Sequence, residues 1–290
     1  MRHFFTSILI AAGIIHPLFS QINMPVNQSM AGETERIFIQ RASNGTVVDP
    51  FYMHALANYE IDTVKISEFR EELSAFIEKL SVRYDKEVHT RQLLNSLFYK
   101  VHQKYLRNYS AYSTFGQLID EGSYDCLTGT ILYASLVEEL GFENHVIVTR
   151  HHTYLMIDTN EGSFMYESTD ALNGFIYRTD EIAARLAEIS MEESSDQVLA
   201  HGNVTVDFND LIGLQYYNAA INAYNKMDFK QAVDQLEKGA VFYRGEIVTQ
   251  FGALLARAIV ASDLDREEKT AYLMKLTHSL NGGSVMASIN

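Results

Sequence analysis

The sequence lacks several features that whole classes of protein need. Only one of its 290 residues is cysteine, so the chain cannot form an internal disulfide and must be stabilised by packing. Lys and Arg are also few, 23 against 37 Asp and Glu, and they form no cluster of the kind that binds the phosphates of a nucleic acid. Charged residues make up only 21% of a chain that is 47% apolar, which excludes a disordered tail, a collagen-like chain and a coiled-coil rod.

Long apolar runs are absent except at the start of the chain. Residues 4–15 form one apolar run, which follows the basic residues Arg2 and His3 and precedes Ser20, a small residue that suits cleavage. A membrane-spanning helix needs about 20 apolar residues, so this run is too short to be one. We interpret residues 1–20 as a secretory signal peptide, with an uncleaved interfacial anchor as the alternative, and predict an exported protein with no membrane span.

The first part of the mature chain is predicted to be mainly helical. Residues 21–48 are rich in Asn, Gln, Ser and Gly and predict a loose lead-in with at most one strand, at 36–41. After it, apolar residues recur at intervals of three and four in three stretches, which predicts amphipathic helices. These helices are expected from Asp49 onward, from Ser67 to Leu80 and from Leu93 to Tyr109.

The middle of the chain predicts one buried helix followed by strands. Residues 126–140 are apolar on nearly every side, follow a turn-and-cap segment and end at Gly141, which favours the left-handed conformation of a helix end. The apolar period then changes to two, which predicts antiparallel strands. The strands are expected at 145–150, 152–158 and 163–169. The predicted fold class is therefore α+β, with a buried helix carrying the cysteine packed on an antiparallel sheet.

Two helical pairs are predicted in the last quarter of the chain. The first pair covers 214–224 and 229–239, and its small and aromatic residues resemble the interlocking positions of a tetratricopeptide-like unit. A second pair, 247–261 and 266–280, repeats the arrangement. Two hairpins are fewer than the three or more repeats that usually stand alone, so we expect them to pack against the rest of the chain and to offer a surface for a protein partner.

These patterns divide the chain into five parts. The predicted segments are the signal peptide at 1–20, the lead-in at 21–48, the cysteine-bearing domain at 49–189, a linker at 190–210 and a C-terminal α-helical hairpin domain at 211–282.

Cys126, His152 and Glu167 are the candidate catalytic residues. A helix N-terminus stabilises a thiolate by only about 0.3 to 1 kcal/mol, which lowers the pKa of a thiol by less than about one unit. A nucleophilic Cys126 therefore needs a base, which His152 can supply, and an acid such as Glu167 can orient the imidazole. Asp170 is the alternative acid, and Glu167 could instead pair with an Arg.

The predicted hairpin can be tested by its register. With a two- or four-residue loop, the numbers of paired residues sum to an odd value, and His152 then lies on the same face as Glu167. A three-residue loop would put them on opposite faces. The turn at 159–162 is predicted to be a four-residue loop, which favours the first case.

Three segments resemble the core of the transglutaminase-like, papain-related superfamily. They are YDCLTG at 124–129 leading the buried helix, HTYL at 152–155 and YESTD at 166–170. In that superfamily the cysteine opens the central helix, and the histidine and acid lie on successive strands. The resemblance implies Cys126 as nucleophile, His152 as base and Glu167 as orienting acid, with a Cys126 backbone N–H and either Gln117 or Tyr124 as oxyanion donors.

The resemblance implies a thiol enzyme that acts on amide bonds of a peptide or protein by hydrolysis or acyl transfer, without a cofactor or metal. The chain has no Trp, although the family often has one beside the cysteine and one after the histidine, which favours hydrolysis over protein cross-linking. Two alternatives remain open. One is a cell-wall peptide hydrolase of the same superfamily, and the other is a non-catalytic envelope protein in which the fold serves as a binding scaffold.

Overall fold

The computed structural model describes residues 32–149, 152–194 and 203–280. The protein is mixed α+β, and its strands form a five-stranded antiparallel sheet and a two-stranded parallel ribbon. In the part of the chain that is described, no helix is both long enough and apolar enough to cross a membrane. The predicted signal peptide at 1–20 lies outside the described residues.

Four helices precede the first strand. Their bounds are α1 Glu33–Ser43, α2 Pro50–Leu56, α3 Thr63–Arg83 and α4 Thr90–Lys104. Aspartates cap two of them: Asp49 accepts hydrogen bonds from the backbone of α2, and Asp62 accepts one from the backbone of α3. The apolar faces of α3 and α4 enter the main hydrophobic core, as their periodicity predicts.

The cysteine-bearing helix occupies the centre of this core. The chain passes through β1 Asn108–Tyr109, α5 Phe115–Glu121 and β2 Ser123–Tyr124 before it enters α6 Cys126–Glu139. Nearly every residue of α6 up to Val137 is buried, in agreement with its all-round apolar sequence. Gly141 follows with a φ of 72°, so the predicted left-handed helix end is confirmed.

The antiparallel sheet covers one side of α6. It contains β3 Glu143–Val148, β4 Thr153–Thr159, β5 Gly162–Tyr166 and β6 Phe175–Ile176, which are followed by α7 Thr179–Ser194 and by β7 Val204–Val206. The strand order is β6-β5-β4-β3-β7. In the hairpin between β4 and β5, Thr159 pairs with Gly162 and Leu155 with Tyr166. The numbers of each pair sum to an odd value, as predicted, but the loop has only the two residues 160 and 161 where four were expected, because Thr159 and Gly162 are themselves paired.

Four helices follow β7 in the described part of the chain: α8 Asp210–Asn225, α9 Phe229–Gly239, α10 Glu246–Ala261 and α11 Arg266–Leu280. Most of their buried apolar residues belong to the same hydrophobic cluster as the interior of α4 and α6, and Ile212 and Tyr216 of α8 form a smaller cluster with Met53 and Ala57 of the N-terminal part. These helices therefore pack against the rest of the chain, as expected.

The sequence prediction was wrong in three further places. The lead-in contains α1 where a strand at 36–41 was expected, because Glu35 on this helix is buried against Tyr216 and Lys238 of the C-terminal helices. The helix predicted to reach Tyr109 ends at Lys104, after which the backbone turns into the parallel ribbon. Part of the predicted linker is structured, since α7 extends to Ser194 and β7 pairs with β3.

Candidate functional site

Cys126 is the first residue of α6, directly after the N-cap residue Asp125. The Asp125 carboxylate accepts hydrogen bonds from the backbone N–H and the hydroxyl of Thr128, at 2.8 and 2.9 Å. In return, the Thr128 hydroxyl oxygen accepts one from the Asp125 N–H at 2.9 Å. This capping box fixes the first turn of α6 and with it the position of the thiol. Cys126 is only 6% exposed.

His152 and Glu167 meet at the ends of two neighbouring strands. His152 directly precedes β4, and Glu167 directly follows β5, so the hairpin register puts them on one face of the sheet. His152 Nε2 forms a hydrogen bond with Glu167 Oε2. The bond to Glu167 occupies Nε2, which leaves Nδ1 as the ring nitrogen that can exchange a proton with a thiol.

The Glu167 carboxylate is held on its other oxygen as well. Oε1 accepts hydrogen bonds from the hydroxyl of Thr169 at 2.8 Å and from its backbone N–H at 3.2 Å. Asp170, the alternative acid, instead caps the turn that follows and pairs with Arg185. Of the two candidate acids, only Glu167 contacts His152.

The start of α6 is hydrogen-bonded to the residues that follow His152 and Glu167 in the chain. The Ser168 hydroxyl donates a hydrogen bond to the carbonyl oxygen of Cys126 at 3.2 Å, and the Thr130 hydroxyl donates one to that of Thr153 at 3.3 Å. Ser168 directly follows Glu167 in the chain, and Thr153 directly follows His152. The three candidate catalytic residues therefore belong to three segments that contact one another.

The surroundings of Cys126 keep the thiol protonated at rest. Burial raises its pKa above the ordinary value, and the negative charges of Asp125 and Glu167 raise it further. The backbone N–H groups of Leu127 and Thr153 act in the opposite direction without reversing the shift. A reaction at this thiol consequently requires a base that removes its proton during the attack.

The pKa values of the two neighbouring carboxyl groups, Glu167 and Asp125, are shifted in opposite directions. Burial alone would raise the pKa of Glu167, but the charge and hydrogen bond of His152, together with the bonds from Thr169, hold it below the ordinary value. Burial raises the pKa of Asp125 to about 6, because the hydrogen bonds from Thr128 only partly offset it. Both groups are ionised at neutral pH, so Glu167 can stabilise a protonated His152.

The two oxyanion candidates lie on the segment before Cys126. Gln117 is in the first turn of α5, where its Oε1 accepts a hydrogen bond from the Thr114 N–H at 2.9 Å and completes a capping box. Tyr124 is on β2, two residues before Cys126, and its ring packs against Tyr109 and His102. Within the described part of the chain, the hydrogen bonds of the Gln117 side chain go to Thr114 and none goes to Cys126.

Two tyrosines near the thiol were not predicted as site residues. The pKa values of Tyr109 and Tyr112 are raised chiefly by burial, and the charges of Asp125 and Cys126 contribute to both shifts. The Tyr112 hydroxyl oxygen accepts a hydrogen bond from Asn225 at the end of α8, at 3.1 Å, and Tyr112 has a φ of 63°. The sequence gives no signal for this contact, because it joins positions 113 residues apart.

A small cavity adjoins the site on the side of the C-terminal helices. Its volume is about 20 Å³, room for one water molecule. Leu127 and Thr153 line it on one side, and Leu214, Tyr217 and Asn218 of α8 line it on the other. Helix α8 thus forms one wall of the space beside the first turn of α6.

No cluster of three or more His, Cys, Asp or Glu suited to a metal ion is found among the described residues. Comparisons of the chain with models of protein families, with curated proteins and with solved structures find no match.

Proposed function

We propose that the protein is an exported thiol enzyme that acts on amide bonds of a peptide or protein. Its nucleophile would be Cys126, its base His152 and its orienting acid Glu167. The observation that carries this proposal is the hydrogen-bonded His152–Glu167 pair packed against the helix start that carries the only cysteine of the chain. The resemblance to the transglutaminase-like core, with a tetratricopeptide-like C-terminal part, supports the same assignment.

The proposed reaction uses the form of the site in which the Cys126 thiol carries its proton and His152 can accept one. As Cys126 Sγ attacks the carbonyl carbon of the substrate, His152 Nδ1 takes the thiol proton, and Glu167 stabilises the resulting imidazolium. The imidazolium then gives this proton to the leaving amine as the C–N bond breaks, which leaves a thioester on Cys126. Water releases the acid, or a second amine accepts the acyl group, and the thiol is regenerated.

The charges around the thiol suit this sequence of steps. Asp125 and Glu167 disfavour a permanent thiolate, so a stable thiolate–imidazolium pair at rest is not what the site favours. General-base catalysis by His152 needs no such pair, because proton transfer accompanies the attack. Oxyanion stabilisation would come from the Cys126 backbone N–H with Gln117 or Tyr124.

The C-terminal helices would shape the cleft and bind a protein partner. Asn225 holds Tyr112 beside the site, and residues of α8 line the cavity next to Leu127. A substrate bound beside the first turn of α6 would therefore lie near both parts of the protein.

A non-catalytic binding scaffold is the second candidate. The observation that favours it is the burial of Cys126, which is 6% exposed and whose pKa is raised by that burial. Free cysteines in this environment are usually small buried hydrophobic residues that react slowly.

Trapping of an acyl-enzyme separates the two candidates. The protein without residues 1–20 is incubated with activated acyl esters of short peptides, and intact mass and peptide mapping report any adduct. The enzyme predicts a thioester on Cys126 that turns over with water or an added amine and that His152→Ala forms far more slowly. A scaffold predicts no adduct with any of the esters, and this result would refute the proposal.

A further inference from the structure

A second cleft lies on the outer face of α4, away from the thiol site. Its volume is about 600 Å³, within the range of small-molecule sites. Three elements form it: the exposed face of α4 from Arg91 to Lys100, Tyr84 at the C-cap of α3, and the segment from Phe175 to Tyr177. On the opposite side of α4, which faces the thiol site, His102 packs against Tyr124.

The cleft is lined by two cationic side chains and by no acidic side chain. Arg91 and Lys100 line it, no Asp or Glu does, and α4 itself contains no acidic residue. Neither cation forms an ion pair within the described part of the chain, whereas the third cation on this helix, Lys104, pairs with Glu72 at 2.5 Å. In a protein of formal net charge −14, this cleft is therefore locally suited to an anion.

The walls also present an aromatic ring beside polar groups. Tyr99 is 39% exposed, whereas the Tyr177 ring is stacked on Phe175 and has the Arg91 guanidinium 5.3 Å from its centroid. Tyr99 is fixed by a hydrogen bond from its hydroxyl to the Leu172 carbonyl oxygen at 3.0 Å. Between the cations, the α4 face carries the amides of Gln92 and Asn95 and the hydroxyl of Ser96. Amides and hydroxyls both donate and accept hydrogen bonds, as sugar hydroxyls require.

We propose that this cleft binds a small hydroxylated ring that carries a carboxylate or phosphate, which is the chemistry of a sugar acid or a sugar phosphate. Arg91 and Lys100 contact the anionic group, the exposed ring of Tyr99 packs against the ligand ring, and Gln92 and Asn95 form hydrogen bonds with its hydroxyls. The site is separate from Cys126 and does not depend on the function proposed for that residue.

Isothermal titration calorimetry on the protein without residues 1–20 tests this site. The probes are glucuronate, glucose 6-phosphate, glucose and inorganic phosphate. The test variant is Arg91→Gln combined with Lys100→Gln, which changes exposed side chains only. The control is Lys79→Gln, an equally exposed cation on α3. Thermal unfolding of each variant checks that the fold is retained.

We expect one site for glucuronate, for glucose 6-phosphate or for both, and the preferred probe identifies the anionic group. Glucose is expected to bind at least about tenfold more weakly, because it lacks the charge-assisted hydrogen bonds. The double variant should lose at least about tenfold in affinity for the anionic probe, while Lys79→Gln should not. The proposal is overturned if neither sugar anion binds, if the double variant binds like the wild type, or if glucose or inorganic phosphate binds as well as the sugar anions.

Discussion

Asp125 has two opposite effects at the thiol site. Its side chain caps α6 and so fixes Cys126, but its carboxylate is 3% exposed and places a negative charge next to the thiol. Burial raises the pKa of Asp125 to about 6, so the group is still mainly ionised at neutral pH. Asparagine caps helices about as well as aspartate, so a substitution of Asp125 by asparagine keeps the helix cap and removes the negative charge.

We predict that Asp125→Asn increases the reactivity of Cys126. Removal of the charge lowers the pKa of the thiol and should raise the rate of iodoacetamide alkylation at neutral pH about three- to tenfold, equivalent to about half to one pKa unit. Asp62→Asn makes the same exchange at the N-cap of α3, where no thiol is near, and should leave the rate unchanged. An unchanged or lower rate in Asp125→Asn would show that this charge does not control the thiol.

At the scale of secondary structure, the contact between α6 and the segment after β5 holds the site together. Gly129 on α6 lies so close to Ser168 that a Cβ at this position would be 2.9 Å from both Cβ and Oγ of Ser168. Ser168 is fully buried and is the chain neighbour of Glu167. The absence of a side chain at Gly129 therefore sets how near the cysteine helix comes to the orienting acid.

Gly129→Ala is predicted to separate these two elements. The added methyl group should destabilise the protein by about 1 to 3 kcal/mol, typical of overpacking, as measured by urea unfolding. It should also slow Cys126 alkylation more than any loss of stability explains, since the thiol and His152–Glu167 move apart. Gly32→Ala, where the nearest atom would be at an ordinary 3.7 Å, is the matched control. Wild-type stability in Gly129→Ala would contradict the close contact.

The secondary structure near the site could be predicted, and much of the remainder could not. The all-round apolar helix from Cys126 and the odd-sum register of the hairpin follow from local periodicity, and the register accounts for the approach of His152 to Glu167. Helix α1 depends on Glu35, whose partners Tyr216 and Lys238 lie about two hundred positions later. Strand β7 needs β3 as its partner. Such contacts between distant segments leave no periodic signal.

At the scale of the whole molecule, a buried polar network joins the N-terminal and C-terminal helices. His54 on α2 is fully buried, its Nε2 donates to the Phe208 carbonyl oxygen at 3.0 Å, and its Nδ1 accepts from Gln215 of α8 at 2.8 Å. Gln215 in turn accepts a hydrogen bond from the Phe115 N–H at 3.1 Å. This bonding requires a neutral imidazole, and burial lowers the pKa of His54 to about 3.

This network predicts a loss of stability in mild acid. The folded pKa of His54 lies below its unfolded value, so the unfolded chain takes up the proton first and stability falls as pH drops below about 6.5. Because of His54 alone, the free energy of unfolding of the wild type should fall by on the order of 2 kcal/mol between about pH 7 and pH 5, as measured by urea unfolding. His54→Gln should be less stable at neutral pH but lose less on acidification. His89→Gln, an exposed control, should keep the wild-type slope, and an equal slope in His54→Gln would contradict the assignment.

The most direct test of the account is the pH profile of Cys126 alkylation from about pH 5 to about pH 10, in the wild type, His152→Ala and Glu167→Gln. The single cysteine makes every adduct attributable. If His152 takes the thiol proton during attack, the wild type should react at least about tenfold faster than His152→Ala at neutral pH, with Glu167→Gln between them. The three rates should converge at high pH, where the thiol ionises without a base. Equal rates for the wild type and His152→Ala at neutral pH would contradict the proposed catalytic unit.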